Sequence, residues 1–142
     1  MKKIAIWFGL LIFICLAGSA TAAELLFTSG GSFEAGCPAT INVILETNGQ
    51  AAGAVDAIMK FDPSKIIVQR IQPGTLFKSY LDPVIDNQAG TLKLTAYGGA
   101  FNGNGVYARI TFLPRPGVTT AQLSWDFTLD STIDSNVADR QT

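Results

Sequence analysis

The sequence has no histidine among its 142 residues and only two cysteines, Cys15 and Cys37. Without an imidazole, the chain lacks the commonest general base and the commonest metal ligand of proteins. Cys37 has no histidine to activate it, and no serine occupies a Gly-x-Ser-x-Gly elbow. The glycines of residues 98–105 lead into a predicted strand, whereas a phosphate-binding loop opens a helix. These absences predict a protein that is not an enzyme and that holds no cofactor.

Basic runs are also absent, and the formal net charge is −1. Proteins that bind nucleic acid cluster Lys and Arg against the phosphates, so we expect no nucleic-acid partner. Most aspartates fall at predicted turns and strand ends, where solvation explains them better than paired carboxylates for glycoside hydrolysis. Asp130, Asp134 and Asp139 have the oxygen ligands that calcium prefers, but their spacing matches no calcium loop. We interpret residues 130–139 as a polar loop and expect no metal.

The N-terminal end has the three-part pattern of a secretory signal peptide. Lys2 and Lys3 form a short positive segment, residues 4–16 are almost continuously apolar, and small residues follow up to Ala23. The apolar run is shorter than the roughly 20 residues of a membrane span. We therefore assign residues 1–23 to a cleaved signal peptide, with a retained anchor or a lipoprotein as the weaker alternatives. We expect a secreted, extracellular protein, with cell-surface attachment left open and no membrane span after cleavage.

Residues 24–142 are the length of one domain. Losing the two lysines with the leader lowers the formal charge from −1 to −3. Cys37 is then an unpaired cysteine, which indicates either an idle thiol or a bridge to another molecule. We favour the idle thiol.

Sustained helical periodicity is missing after residue 23, and short β-branched runs between Gly, Pro and Asn take its place. Such runs at near-regular spacing predict an all-β sandwich. The predicted strands are residues 24–29, 40–47, 53–61, 65–71, 79–85, 91–97, 106–113 and 119–128. Asn48-Gly49 predicts a tight turn, and Gly90 a left-handed position in a hairpin loop. The glycines of residues 98–105 predict a flexible loop.

The stretch from Gly53 to Pro63 is the clearest strand, because apolar residues recur at every second position and Asp62-Pro63 ends it. Its predicted inward residues are Val55, Ala57, Met59 and Phe61. Asp56, Ile58 and Lys60 share the other face, which is either a contact surface or an ordinary solvated face. Alternating aromatic residues elsewhere predict core positions. These residues are Phe61, Phe112, Trp125 and Phe127.

Four segments, taken in order, resemble the cohesin domain family. The segments are Gly36 with the strand after it, Gly53 to Val68, Asp86 to Leu94, and Gly103 to Phe112. The resemblance covers essentially all of residues 24–142. It implies a nine-stranded jelly-roll sandwich and a non-catalytic role in protein–protein assembly. In cohesins, a dockerin module of another protein binds the sheet made by the third, fifth, sixth and eighth strands.

Asp56 matches the acidic position of the third cohesin strand that faces dockerin. Tyr97 stands where an acidic residue is frequent, and a tyrosine anchors interfaces with a buried ring and a hydroxyl at the rim. The resemblance thus implies a dockerin-like partner and one set of contact residues. That set is Asp56, Ile58, Lys60, Tyr97 and Phe101.

Cohesins usually add a ninth strand after a segment like residues 130–139, whereas this sequence ends at Thr142. Without that strand, the first strand near Leu25–Thr28 is expected to present an unpaired edge, and open edges recruit other strands. Either the domain is incomplete and lacks its last strand, or a partner completes it, and we favour the first.

Two other functions stay open at this point. Carbohydrate-binding modules have a similar sandwich, and a polysaccharide ligand would favour a planar row of exposed aromatics, for which Tyr97, Phe101 and Tyr107 are the candidates. A structural subunit of a surface layer or fibre, joined through the open edge, is the third hypothesis.

The cleavage assignment is tested by sequencing the N-terminus of the exported protein. We expect it to begin at Ala23 or Glu24, because Ala20-x-Ala22 provides the small residues that signal peptidase selects. An exported chain that still begins at Met1 would contradict the assignment.

Overall fold

The computed structural model describes residues 23–28, 34, 36–127 and 135–139, which form ten strands and their connections, with no helix in these ranges. The strands are β1 (Glu24–Thr28), β2 (Ala39–Glu46), β3 (Ala52–Phe61), β4 (Ile66–Pro73), β5 (Ser79–Tyr80), β6 (Val84–Asp86), β7 (Thr91–Phe101), β8 (Asn104–Pro114), β9 (Leu123–Trp125) and β10 (Asn136–Asp139). The predicted all-β jelly-roll sandwich is confirmed. Ten strands replace the predicted eight to nine, partly because the strand predicted at 79–85 breaks into β5 and β6 around Leu81–Pro83.

The strands form two antiparallel sheets. Sheet A has the order β1-β2-β8-β4. Sheet B is centred on β3 and β7, which pair along most of their length. On the far side of β7 lie the short strands β5 and β6, and on the far side of β3 lie β9 and β10. Each central strand of sheet B is thus flanked by two short strands that follow each other along its edge.

The core lies between the sheets and is built by alternate residues of the long strands. Val55, Ala57, Met59 and Phe61 of β3 are buried, as the alternation predicts. Sheet A faces them with Val43, Leu45, Ile66, Val68, Ile110 and Phe112. Each large apolar side chain removed from water contributes about 1.5–3 kcal/mol. This shared core holds the two sheets together.

Tyr107 of β8 is a polar link between the sheets inside this core. The side chain is fully buried, and its hydroxyl oxygen lies 2.8 Å from the carbonyl oxygen of Leu94 and 3.2 Å from that of Val55. Its single proton is therefore shared between β7 and β3. Tyr80 and Phe77 pack their rings against Tyr107 at centroid distances of 5.8 and 6.2 Å. A strand of sheet A thereby fixes the two central strands of sheet B.

Two predicted turns are present. Asn48 and Gly49 connect β2 to β3 with φ angles of 50° and 88°, the left-handed region that Asn and Gly tolerate. Gly90 has φ 70° in the loop between β6 and β7. A Cβ at this position would lie 2.3 Å from the carbonyl oxygen of Phe61, so only glycine fits.

Two strand predictions are wrong in their boundaries, and part of one predicted loop is a strand. β7 continues to Phe101, where the glycines predict a loop, and the β3–β7 pairing absorbs them with a shift between Ala52 and Ala54. β9 covers only Leu123–Trp125 of the strand predicted at 119–128. β10 occupies residues that predict a polar loop, because β3 offers an open edge there. Asp130 and Asp134 lie outside the described residues, so the interpretation of residues 130–134 as a polar loop stays a prediction.

Two predictions about aromatic residues are also wrong. Phe127 was expected in the core, but it is 64% exposed, because β9 ends two residues before it. Tyr107 was a candidate exposed aromatic and is fully buried. Phe61 and Phe112 are buried as expected, and Trp125 stacks on Phe27 with ring centroids 4.4 Å apart.

The signal-peptide prediction covers residues 1–23, of which residues 1–22 lie outside the described residues. No helix within the described ranges has the length and apolar character needed to cross a membrane. Cys37 is an exposed free thiol.

The buried hydroxyl of Tyr107 makes stability depend on alkaline pH. Burial raises the pKa of Tyr107 above its ordinary value of 10.0, and Tyr80 and Asp56 add to this effect. Above about pH 10 the unfolded chain therefore loses this proton more readily than the folded chain, and stability falls as pH rises. Tyr107→Phe should cost about 1 kcal/mol at neutral pH and flatten the alkaline fall, as measured by urea unfolding. Tyr97→Phe, which removes an exposed hydroxyl, is the control, and an unchanged alkaline slope in Tyr107→Phe would contradict this account.

Candidate functional site

The outward face of sheet B brings together side chains from its two central strands. Residues directly opposite in an antiparallel pair project to the same face. Asp56 pairs with Thr95, Ile58 with Lys93, and Ala54 with Tyr97. We call this surface the β3–β7 face. Its members are Asp56, Ile58 and Lys60 of β3 with Lys93, Thr95 and Tyr97 of β7.

The charges on this face form pairs. The Lys60 Nζ lies 2.7 Å from Asp126 Oδ1, and the Lys93 Nζ lies 3.5 Å from Asp56 Oδ2. The Thr95 hydroxyl donates a hydrogen bond to Asp56 Oδ1. Exposed ion pairs of this kind contribute about 0–1 kcal/mol to stability. Their larger effect is that each carboxylate of the face sits beside a cation.

Large apolar side chains flank the paired charges. Tyr97 is 46% exposed, Leu81 50% and Val84 60%. Val84 lies opposite Lys93, and the Leu81 amide donates to the carbonyl of Thr95, so both belong beside this face. Ile58 is half-buried in the middle. The arrangement is an open, partly apolar surface with satisfied charges, suited to contact with another macromolecule.

Ser135 completes the backbone behind Ile58. β9 ends at Trp125 and β10 begins at Asn136, which leaves a break along the outer edge of β3 at Ile58. The Ser135 hydroxyl accepts the Ile58 N–H at 2.9 Å and donates to the Ile58 carbonyl at 2.6 Å. The Asp126 amide also donates to this carbonyl, at 2.9 Å. The side chain thus takes the place of a strand residue beside Ile58 of β3.

Phe101 is separated from the other predicted contact residues. It pairs with the buried Ala52, packs against the core and lies beside Leu76. The irregularity at Gly98, with φ 80°, precedes this change of side. The structure therefore brings together Asp56, Ile58, Lys60 and Tyr97, but not Phe101.

Several residues of the surface were not predicted. Lys93 and Thr95 alternate with the buried Leu92 and Leu94, so the sequence indicates that both project outward. The sequence does not give the antiparallel register between β3 and β7, which places them beside Asp56. Ser135, Leu81 and Val84 come from short strands and connections without periodicity, and Asp126 continues the alternation of Leu123 and Trp125 just beyond the end of β9. Nothing in their local sequence distinguishes them.

No protein-family model matches the chain, and no curated protein sequence matches it. Solved structures do match. A cohesin from the OlpA cohesin–dockerin complex of Clostridium thermocellum superimposes with a TM-score of 0.65 at 12% identity, over 84% of this chain and 87% of that chain. The third ScaC cohesin of Acetivibrio cellulolyticus, solved with the ScaB dockerin, gives 0.59 at 18% identity, over 74% and 78% of the two chains. This chain has the cohesin fold.

One of the matching structures is an archaeal cohesin that is described as non-cellulosomal. A non-cellulosomal cohesin of Archaeoglobus fulgidus superimposes with a TM-score of 0.53 at 14% identity, over 73% of this chain and 75% of that chain. At such low identity, the comparison shows a shared cohesin-like architecture and nothing about the residues of the β3–β7 face.

The bridge at Ile58 is tested with Ser135→Ala. The change removes two hydrogen bonds from a backbone unit at the edge of β3, so we expect a loss of about 1–3 kcal/mol in unfolding free energy. Amide exchange at Ile58 should also accelerate. Ser124→Ala, an exposed serine on the adjacent β9, is the matched control. Equal stability of the two variants would show that the bridge contributes nothing.

Proposed function

We propose that this domain is a non-catalytic, extracellular binding module whose β3–β7 face binds a dockerin-like module of another protein. Solved structures of the same fold include cohesins in type I complexes with dockerins, from Acetivibrio cellulolyticus and Clostridium thermocellum. The predicted signal peptide supports a location outside the cell, and the proposal includes assembly at the cell surface.

The distribution of exposed apolar side chains is the observation that carries the proposal. Of the five large hydrophobic residues exposed within the described ranges, Leu81, Val84 and Tyr97 lie on or beside the β3–β7 face. Contiguous exposed apolar surface with a polar rim is typical of protein interaction sites. The β3–β7 face carries exposed apolar side chains beside charged and polar ones on one side of sheet B.

Each predicted contact residue has a role that its surroundings support. Tyr97 offers a half-exposed ring, and tyrosine is enriched among residues that dominate binding energy. Asp56 is held in place by Thr95 and Lys93, so its carboxylate is already oriented when a partner approaches. Ile58 gives apolar area at the centre, and Lys60 with Asp126 forms a charged pair at the edge of the face. Phe101 is left out of the proposed contacts because it packs inward.

The polysaccharide alternative has no matching geometry in the described part of the chain. Tyr107 is buried and Phe101 faces the core, while Tyr97 and Phe127 lie on different surfaces. These rings form no planar row on which sugars would stack.

A binding experiment with purified dockerin modules tests the proposal. The exported protein is immobilised and its binding to a panel of dockerins is measured by biolayer interferometry. Tyr97→Ala should weaken binding by about 30-fold, since loss of a residue that dominates binding energy typically costs 2 kcal/mol or more, and adding Asp56→Ala should abolish it. Arg109→Ala, an exposed change on sheet A, should leave the affinity unaltered. Absence of binding across the panel, or equal binding by the double variant, would refute the proposal.

A further inference from the structure

Asparagine is followed by glycine three times in the chain, at residues 48–49, 102–103 and 104–105. Such pairs are prone to deamidation, because glycine has no Cβ that hinders approach of its amide nitrogen to the preceding side chain. That nitrogen loses its proton and bonds to the asparagine Cγ, while the bond from Cγ to Nδ2 breaks and ammonia leaves with the proton. Water then opens the cyclic imide to aspartate or isoaspartate. Water is the only other reactant, and nothing is oxidised or reduced.

The pair at 102–103 is held by the hydroxyl of a fully buried threonine, Thr47. This hydroxyl donates to Asn102 Oδ1 at 2.9 Å and accepts the Gly103 N–H at 2.8 Å. The Thr47 amide also donates to the Gly103 carbonyl, at 3.0 Å. One residue therefore binds both groups that take part in the reaction, the side-chain carbonyl of Asn102 and the nitrogen of Gly103.

These contacts oppose deamidation. A hydrogen-bonded N–H gives up its proton far less readily than one in water, which is also why such amides exchange slowly. Rotation of the Asn102 amide would break its bond to Thr47 and the longer contact of its Nδ2 with the Gly49 carbonyl oxygen, at 3.5 Å. Since the Thr47 hydroxyl is buried, water does not replace it while the turn is closed over it.

We propose that Asn102 is a deamidation site that the Thr47 hydroxyl keeps closed in the folded domain. The site becomes reactive when the turn between β7 and β8 separates from Thr47 and frees the Gly103 nitrogen. Asn102 and Gly103 are exposed, so water for the hydrolysis step is already present. The rate of modification is then set by how often this end of the sandwich opens.

The neighbouring pair, Asn104-Gly105, is protected in a different way. Gly105 lies in β8 opposite Leu45 of β2. Hydrogen-bonded positions alternate along an antiparallel ladder, and the bond from the Thr47 amide to the Gly103 carbonyl marks one of them. The next such position falls at Leu45 and Gly105, where the partner is backbone and not a side chain. This pair therefore serves as an internal reference for the proposed site.

Deamidation at residue 102 would make the opening permanent. The acid has no donor for the Gly49 carbonyl oxygen and places a carboxylate beside it. Isoaspartate also lengthens the main chain of the turn by one carbon. The β7–β8 turn would then close poorly on the β2–β3 turn, so that a transient opening leaves a lasting chemical change.

Peptide mapping of the exported protein by mass spectrometry, during incubation at mildly alkaline pH, tests the site. Thr47→Val removes the hydroxyl but keeps the shape of the side chain, so deamidation at Asn102 should become about tenfold faster. Deamidation at Asn104 should not change. Thr47→Ser retains the hydroxyl and is the matched control, in which Asn102 should stay slow. Amide exchange at Gly103 should accelerate in Thr47→Val together with deamidation.

The two asparagines separate loss of the hydroxyl from loss of stability. Global unfolding exposes both pairs, so an equal acceleration at Asn102 and Asn104 in Thr47→Val would overturn the proposal. No acceleration at either site would overturn it as well.

A measurement on the unchanged chain decides the matter even where Thr47→Val does not fold. Asn102 should deamidate at least about tenfold more slowly in the folded protein than in the same chain unfolded in urea. Equal rates in the two states would contradict the proposal. The dockerin binding experiment has no bearing on these outcomes, because neither Thr47 nor Asn102 belongs to the β3–β7 face.

Discussion

β3, one of the two central strands of sheet B, needs hydrogen-bond partners for its backbone groups on both sides over ten residues. β7 meets this requirement on one side in a nearly continuous ladder, and on the other the chain uses two short strands with a break between them. The Ser135 hydroxyl bridges that break by bonding both backbone groups of Ile58. Since an unsatisfied buried backbone group costs about 1–3 kcal/mol, this small contact keeps β3 regular where its outward residues form the candidate site. The geometry of the β3–β7 face therefore depends on a side chain that is remote in sequence and does not itself belong to the face.

Much of the architecture could be predicted because long strands carry a period-two pattern that a single sequence displays. The inward set of β3 and the Asn48-Gly49 turn follow from local rules, and β2, β4 and the main part of β8 lie where β-branched runs place them. The same alternation correctly put Asp56, Ile58 and Lys60 on one face. What it does not contain is the register between strands, which brings Lys93 and Thr95 to Asp56.

The errors have physical causes of their own. Glycines at 98 and 99 favour a loop locally, but pairing with β3 overrides that preference. Alternation through Phe127 suggests a longer strand, yet the ladder to β3 covers only Leu123–Trp125, and the ring beyond it stays exposed. Tyr107 was a candidate surface residue because tyrosine is amphipathic. Its burial is tolerated because carbonyl groups of both central strands of sheet B accept hydrogen bonds from its hydroxyl. Each case is decided by contacts between residues that are distant in sequence.

The paired charges of the β3–β7 face have a kinetic consequence. Lys60 with Asp126 and Lys93 with Asp56 leave little net field at the surface. A partner approaching this face gains little from electrostatic steering, so encounter should proceed at the rate of an unsteered protein pair, about 10⁵–10⁶ M⁻¹s⁻¹, with weak dependence on salt. Differences in affinity between partners would then reside in the dissociation rate, that is, in how well each one packs over Tyr97 and its apolar neighbours.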